Sequence, residues 1–255
     1  MHLYHRDLGG AGNPPLVILH GLLGSSRNWQ TAGVEMAARY HVFALDLRNH
    51  GRSPHADAMD FDVMVADVLE WMAEHLLTSA TIMGHSMGGK VAMQLACRHP
   101  AQVERLFIID IAPKDYAWMG HRASFAAMNE LALADLHSRA EAELRFEGRV
   151  PNWATRKFLT TNLERTPDGH WRWQINLPAI TASLPTIEAN SLTSTDRYVG
   201  PARFITGADS TYVEPADHAA IRGHFPNADI VTIPGSGHNP HMEQREAFVR
   251  VVLAK

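Results

Sequence analysis

Six short apolar runs constrain what this 255-residue chain can fold into: Leu16–Leu19, Val42–Leu45, Ala80–Met83, Leu106–Ile109, Ala202–Ile205 and Asp229–Ile233. Each is closed within two residues by Gly, Pro or Asp. Runs this short, bounded by such residues, read as buried strands, and such strands belong to mostly parallel sheets. Parallel neighbours need crossovers, and helical patterns lie between the runs. Phe61–His75 places Val65, Val68, Leu69 and Met72 on one face, and Met87–Arg98 follows a strand directly. Ala216–His224 and Glu243–Leu253 are further helical segments, and His2–Leu8 alternates weakly, as an edge strand would. The expected class is α/β: a mostly parallel sheet with helices on both faces.

One stretch interrupts the alternation. Pro113 to Thr195 lacks a buried-strand run and reads as helices over Tyr116–Leu133, Leu136–Phe146 and Asn152–Asn162. It holds four of the six tryptophans, so it has apolar surface to bury. The expectation is a helical cap, 113–195, inserted before the last two strands of a core made of residues 1–112 and 196–255.

Composition narrows the functions. Hydrophobic residues make up 45% and charged residues 20%, which places the chain among globular proteins and not disordered ones. Lys and Arg number 23 against 27 Asp and Glu, a net charge of -4 with no basic stripe, so nucleic acid is not an expected partner. Cys97 is the single cysteine, which excludes an internal disulfide and a cysteine-based metal cluster. No apolar run approaches the roughly 18 residues needed to span a bilayer, and no secretory leader is visible. The reading is a soluble cytoplasmic protein of open oligomeric state.

The strongest chemical signal is Gly84-His85-Ser86-Met87-Gly88-Gly89, a G-x-S-x-G run between a strand and a helix. A nucleophilic serine needs this shape, because a sharp strand-to-helix turn exposes its Oγ and tolerates only small neighbours. A phosphate-binding glycine loop or a plain tight turn is the bland reading of the same run. A second signal is His20-Gly21-Leu22-Leu23-Gly24-Ser25, after the first buried strand. The amide of Leu22 there, with that of Met87 after the serine, would form an oxyanion hole. A turn that needs glycines for geometry alone is the alternative. The third signal is Gly235-Ser236-Gly237-His238, after the last strand, where a general base for Ser86 belongs. Histidines number 16, so a lone one means little, and His238 stands out by position and flanking glycines. His241 lies three residues on, but no HExxH or third ligand accompanies the pair, and no metal is expected.

His238 also needs a carboxylate. Two aspartates end strands on the same edge of the sheet: Asp110, immediately after Leu106–Ile109, and Asp209, in Thr206-Gly207-Ala208-Asp209-Ser210. The chain order serine, acid, histidine is that of α/β-hydrolases. The sequence resembles that superfamily over nearly its whole length, and more narrowly the YbfF-type esterases, small bacterial serine esterases with a helical cap. The carrying residues are His20–Ser25, Asp46-Leu47-Arg48-Asn49-His50-Gly51-Arg52-Ser53, Gly84–Lys90, Ile109-Asp110-Ile111-Ala112-Pro113, Phe158–Leu163, Ser210-Thr211-Tyr212-Val213 and Gly237-His238. Where that family has an aromatic after its histidine, this chain has Asn239-Pro240.

The resemblance implies hydrolysis of a small carboxylic ester or thioester of short to medium acyl chain, through an acyl-enzyme and without a cofactor. It assigns the acid to Asp110, with Asp209 the alternative. Trp118 and Phe125, near the junction of cap and core, are the expected pocket residues. Asp46 to Ser53 reads as a loop-shaping network. C–C bond hydrolases, cofactor-free haloperoxidases and lyases on the same fold keep a serine and a histidine and remain open, as does a non-catalytic small-ligand receptor.

Overall fold

A computed structural model of the chain describes residues 1–116 and 119–254. In chain order the strands are β1 (His5–Asp7), β2 (Pro15–Leu19), β3 (His41–Leu45), β4 (Ala80–His85), β5 (Val103–Ile109), β6 (Leu163–Arg165), β7 (Trp171–Trp173), β8 (Ala202–Gly207) and β9 (Ala228–Ile233). The α-helices are α1 (Gln30–Met36), α2 (Phe61–Glu74), α3 (Met87–Arg98), α4 (Met119–Glu130), α5 (Arg139–Phe146), α6 (Trp153–Thr160), α7 (Leu177–Ala182), α8 (Leu184–Glu188), α9 (His218–His224), α10 (Pro240–Glu243) and α11 (Arg245–Leu253).

All six apolar runs are strands of one seven-stranded sheet, ordered β1-β3-β2-β4-β5-β8-β9. Every neighbouring pair is parallel except β1 with β3, which is antiparallel at the edge. Two apolar clusters lie on opposite faces. One gathers Val17, Leu19, Ile82, Leu106 and Ile108 with α2 and α3; the other gathers Leu16, Ile18, Met83, Phe107 and Ile109 with α1 and α11. The alternation of neighbouring residues between clusters is the pleat of strands buried on both sides. α2 begins on an N-cap at Asp60, whose side chain accepts from Val63 N–H at 2.9 Å.

Between β5 and β8 the expected helices are present but shorter, as α4, α5 and α6. α4 ends at Glu130, and the segment after it turns through a short 3₁₀ helix, Leu133–Asp135. The structure adds an element the pattern did not announce: β6 and β7 form a small antiparallel hairpin, with Leu163 opposite Trp173 and Arg165 opposite Trp171. Three residues per strand are too few to register as a period, and the turn chemistry at Pro167-Asp168-Gly169 is what makes the reversal. The C-terminal helical segment is also interrupted. Gln244, at φ -131 and ψ 51, separates α10 from α11. No helix among the described residues is long and apolar enough to cross a membrane.

Lys90 on α3 ties the intervening segment to the sheet. It is 2% exposed, and its ammonium donates to the carbonyls of Ile187, Glu188 and Ala189 at 3.1, 3.0 and 2.6 Å. Ser191 Oγ donates back to the Lys90 carbonyl at 3.1 Å. Burial pulls the Lys90 pKa down to about 7, against the opposing pull of Asp115 and Glu188. Lys90→Met keeps the apolar stem and strands these carbonyls, at a cost of about 1–3 kcal/mol. The expected result is faster amide exchange across 177–195 than in the parent. Unchanged exchange there would show that apolar packing alone holds this segment down.

Candidate active site

Ser86 follows β4 and caps α3 in a left-handed conformation, φ 52 and ψ -117. The turn is that sharp because the strand and helix nearly touch. A Cβ on Gly84 would lie 2.2 Å from the Gly88 carbonyl oxygen, and one on Gly88 would lie 2.4 Å from that of Leu19. Both positions therefore require glycine, which is the physical content of the G-x-S-x-G run. Ser86 N–H donates to the Ile109 carbonyl at 3.1 Å, which brings the turn against the end of β5.

Asp110 is the next residue after β5. It too has a positive φ, 51, and it is fully buried. Three donors converge on its carboxylate. Gly207 N–H reaches Oδ1 at 3.0 Å, His238 Nδ1 reaches Oδ2 at 2.8 Å, and Ser210 Oγ also donates to Oδ2. The partner of His238 Nδ1 is thus Asp110. Asp209 is exposed, and its backbone N–H is used by the Ser236 carbonyl at 2.8 Å. With Nδ1–H pointing at Asp110, Nε2 is the ring nitrogen left to act as a base.

Four further residues shape this cluster. Ser210 holds Asp110, and its Oγ also accepts from Tyr212 N–H at 3.1 Å. Tyr212 stacks on the His238 ring, with centroids 3.4 Å apart. Tyr116 OH donates to the Tyr212 carbonyl and accepts from Ala112 N–H, both at 2.8 Å. His85 Nε2–H donates to the His238 carbonyl at 2.8 Å, so the residue before the serine holds the histidine loop. The Ser-Thr-Tyr-Val run was a marker of resemblance only; the structure makes its serine and tyrosine neighbours of Asp110 and His238.

The loop after β2 is held by two buried histidines that clasp it reciprocally. His20 Nδ1–H donates to the Gly21 carbonyl at 2.8 Å and Nε2 accepts from Leu47 N–H at 2.9 Å. His50 Nδ1–H donates to the Arg48 carbonyl at 2.9 Å and Nε2 accepts from Leu23 N–H at 3.2 Å. Leu23, at φ 60, has its amide committed. The amides of Leu22 and Met87 have no hydrogen-bond partner among the described residues. Asp46 accepts from the amides of Ser26 at 2.6 Å and Arg52 at 2.8 Å, and Arg48 pairs with Asp67 at 2.6 Å. Every donor and acceptor of this run named here serves loop geometry.

These histidines make the fold acid-sensitive. Burial drives the pKa of His50 and of His241 down to about 3 and lowers that of His20. The unfolded chain takes up protons near pH 6.5, while in the folded chain His50 and His241 refuse them down to about pH 3. Stability is therefore fully present above pH 6.5 and is lost as pH falls through that window, by about 1.4 kcal/mol per histidine for each unit. A cooperative loss of far-ultraviolet circular dichroism between pH 6.5 and 3 is expected. A baseline that stays flat to pH 3 would contradict the depressed values.

Phe125 is 2% exposed and belongs to the apolar cluster shared by the sheet and the intervening helices. Trp118 lies outside the described residues. Among the described residues no group of three or more His, Cys, Asp or Glu could hold a metal ion.

Residues 14–244 match a family model described as the alpha/beta hydrolase fold. The chain is 36% identical to the sn-1-specific diacylglycerol lipase ABHD11 of Mus musculus, over 96% of this chain and 82% of that protein. It is 32% identical to the esterase YbfF of Escherichia coli, over 94% of this chain and 92% of that protein. Among solved structures it superposes on a marine microorganism esterase with a TM-score of 0.95 and 37% identity, covering 99% of this chain and 98% of the other.

Proposed function

The chain belongs to the α/β-hydrolase fold family, and from that premise we infer that it hydrolyses carboxylic esters through an acyl-enzyme intermediate. The carrying observation is the 2.8 Å contact of His238 Nδ1 with the buried Asp110 carboxylate, with His85, the residue before the Ser86 turn, donating to the His238 carbonyl at 2.8 Å. In the proposed reaction Ser86 Oγ attacks the ester carbonyl and His238 Nε2 takes its proton. Asp110 keeps the proton on Nδ1 and stabilises the imidazolium. The amides of Leu22 and Met87 receive the developing oxyanion, and the positive end of the α3 dipole favours the same charge. His238 then protonates the leaving alcohol. Water, activated by the same nitrogen, releases the acid and restores Ser86. These steps require no metal or cofactor.

In this reading 113–195 act as a cap over a core of 1–112 and 196–255, and Phe125 limits the acyl end of the pocket. Short to medium acyl chains, thioesters included, are what the resemblance to YbfF-type esterases implies. Phe125→Ala is expected to shift the preference among p-nitrophenyl esters toward longer chains; an unchanged profile would make Phe125 a packing residue only. The single Cys97, which allows no internal disulfide, supports a cytoplasmic location, and cell fractionation checks it. The test of the function is a fluorophosphonate probe with an ester screen. Stoichiometric labelling at Ser86 and turnover of an ester are expected. Turnover without labelling would remove the covalent mechanism, and neither result would leave a binding protein.

A further inference from the structure

A cavity of about 370 Å³ lies at a seam of the fold away from Asp110, where three pieces meet: the loop and helix after β2, the segment around the hairpin, and α10 with α11. Its volume is within the range of small-molecule sites. Its chemistry runs against the chain as a whole. The protein carries a net charge of -4, yet two arginines, Arg27 and Arg245, line this cavity and no acid does. Arg245 is ion-paired at 2.7 Å with Glu35, which stands outside the lining. Arg27 is exposed, and its guanidinium has no ion-pair or hydrogen-bond partner among the described residues.

The inner wall is His241, 3% exposed. Its ring is clamped. It stacks on Trp29 at 4.1 Å between centroids and 12° between planes, and it meets His85 at 4.9 Å and Phe248 at 6.1 Å. Its Nδ1 is buried with no hydrogen-bond partner among the described residues. A buried polar atom left unpaired costs about 1–3 kcal/mol, and a clamped ring cannot turn to relieve it. Burial keeps this imidazole neutral, so one of its nitrogens carries a hydrogen to donate. Arginine forks and the hydroxyls of Ser25 and Thr31 form a donor set suited to a compact oxyanion, over a wall made by the His241 ring.

We propose that this cavity is a binding site for a small molecule bearing a carboxylate or a phosphate, held by Arg27, Arg245 and His241. The site abuts the loop carrying Leu22, because Leu23 lines the cavity and Asn162 Nδ2 donates to the Leu23 carbonyl at 3.0 Å. It is separate from the ester-hydrolysis reading, since none of its three anchoring side chains has a role there.

The test titrates the full chain with succinate and, separately, with inorganic phosphate, against sodium chloride of matched ionic strength. Calorimetry reads binding, and ring ¹⁵N chemical shifts read His241. Saturable binding with a shift in the His241 ring signals is expected for at least one anion, and which one saturates identifies carboxylate or phosphate as the ligand chemistry. Arg27→Gln combined with Arg245→Gln is expected to weaken binding at least tenfold, about 1.4 kcal/mol. Both arginines are at the surface, and hydrolysis of a neutral p-nitrophenyl ester by the double variant is expected to match the parent, which shows that it has folded. The proposal is overturned if neither anion saturates beyond the chloride control, or if the folded double variant binds as the parent does. Loss of ester hydrolysis in the parent would sink the catalytic reading and leave this one standing.

Discussion

Ser86→Ala abolishes ester hydrolysis, with kcat expected to fall on the order of 10⁴–10⁶-fold. The substitution deletes the one oxygen that bonds to the acyl carbon in the proposed mechanism. It leaves the fold in place for a structural reason. Ser86 sits at φ 52 on a turn set by close contacts at Gly84 and Gly88, and alanine meets the same backbone strain there as serine. No side-chain cap on α3 is lost either, because Ser86 Oγ makes none. Steady-state kinetics on a p-nitrophenyl ester, beside a thermal unfolding curve, separates the two effects. More than a few per cent of parental kcat in a variant of unchanged melting temperature would exclude Ser86 as the nucleophile.

Asp110→Asn lowers kcat by at least 10²-fold, toward the roughly 10⁴-fold of a tautomer-disrupting substitution. The buried carboxylate accepts from three donors: Gly207 N–H, Ser210 Oγ and His238 Nδ1. An amide has one oxygen. Whichever way it turns, its NH₂ group opposes one of those donors. If it opposes His238, the histidine proton moves to Nε2 and the base is lost. Asp209→Asn is the control. Its side chain is exposed and the partner of His238 Nδ1 is elsewhere, so the change in kcat is expected to stay within a few-fold. The opposite ranking would transfer the role to Asp209.

The sequence was most informative where burial writes a period. Six apolar runs became six strands; the central ones are covered on both faces, while β9, at the edge, exposes Asp229 and Thr232. α3 matches its expected span, Met87–Arg98, since strand and turn fix its start. The pattern was least informative between β5 and β8. The β6–β7 hairpin has three residues per strand, too short for alternation to show. The Gly-rich turn around Ser86 was legible because small residues flank the serine on both sides, although only Gly84 is required by the turn itself and Gly88 by the Leu19 carbonyl of β2.

The sequence alone thus determined the α/β class, the strand positions, the strained serine turn and the histidine loop. Each of these is a property of a few adjacent residues. The tertiary structure decided everything that depends on two distant segments meeting. It put the carboxylate of Asp110, and not that of Asp209, against the His238 ring, 128 residues away. It enlisted Ser210, whose hydroxyl meets Asp110 across 100 residues of chain. It placed Lys90 under the carbonyls that end α8 and left His241 Nδ1 facing no partner. Local steric and burial requirements act on neighbours in sequence and so are written there. Hydrogen-bond partnerships in a folded core are set by close approach in space, which only the packed sheet and its loops create.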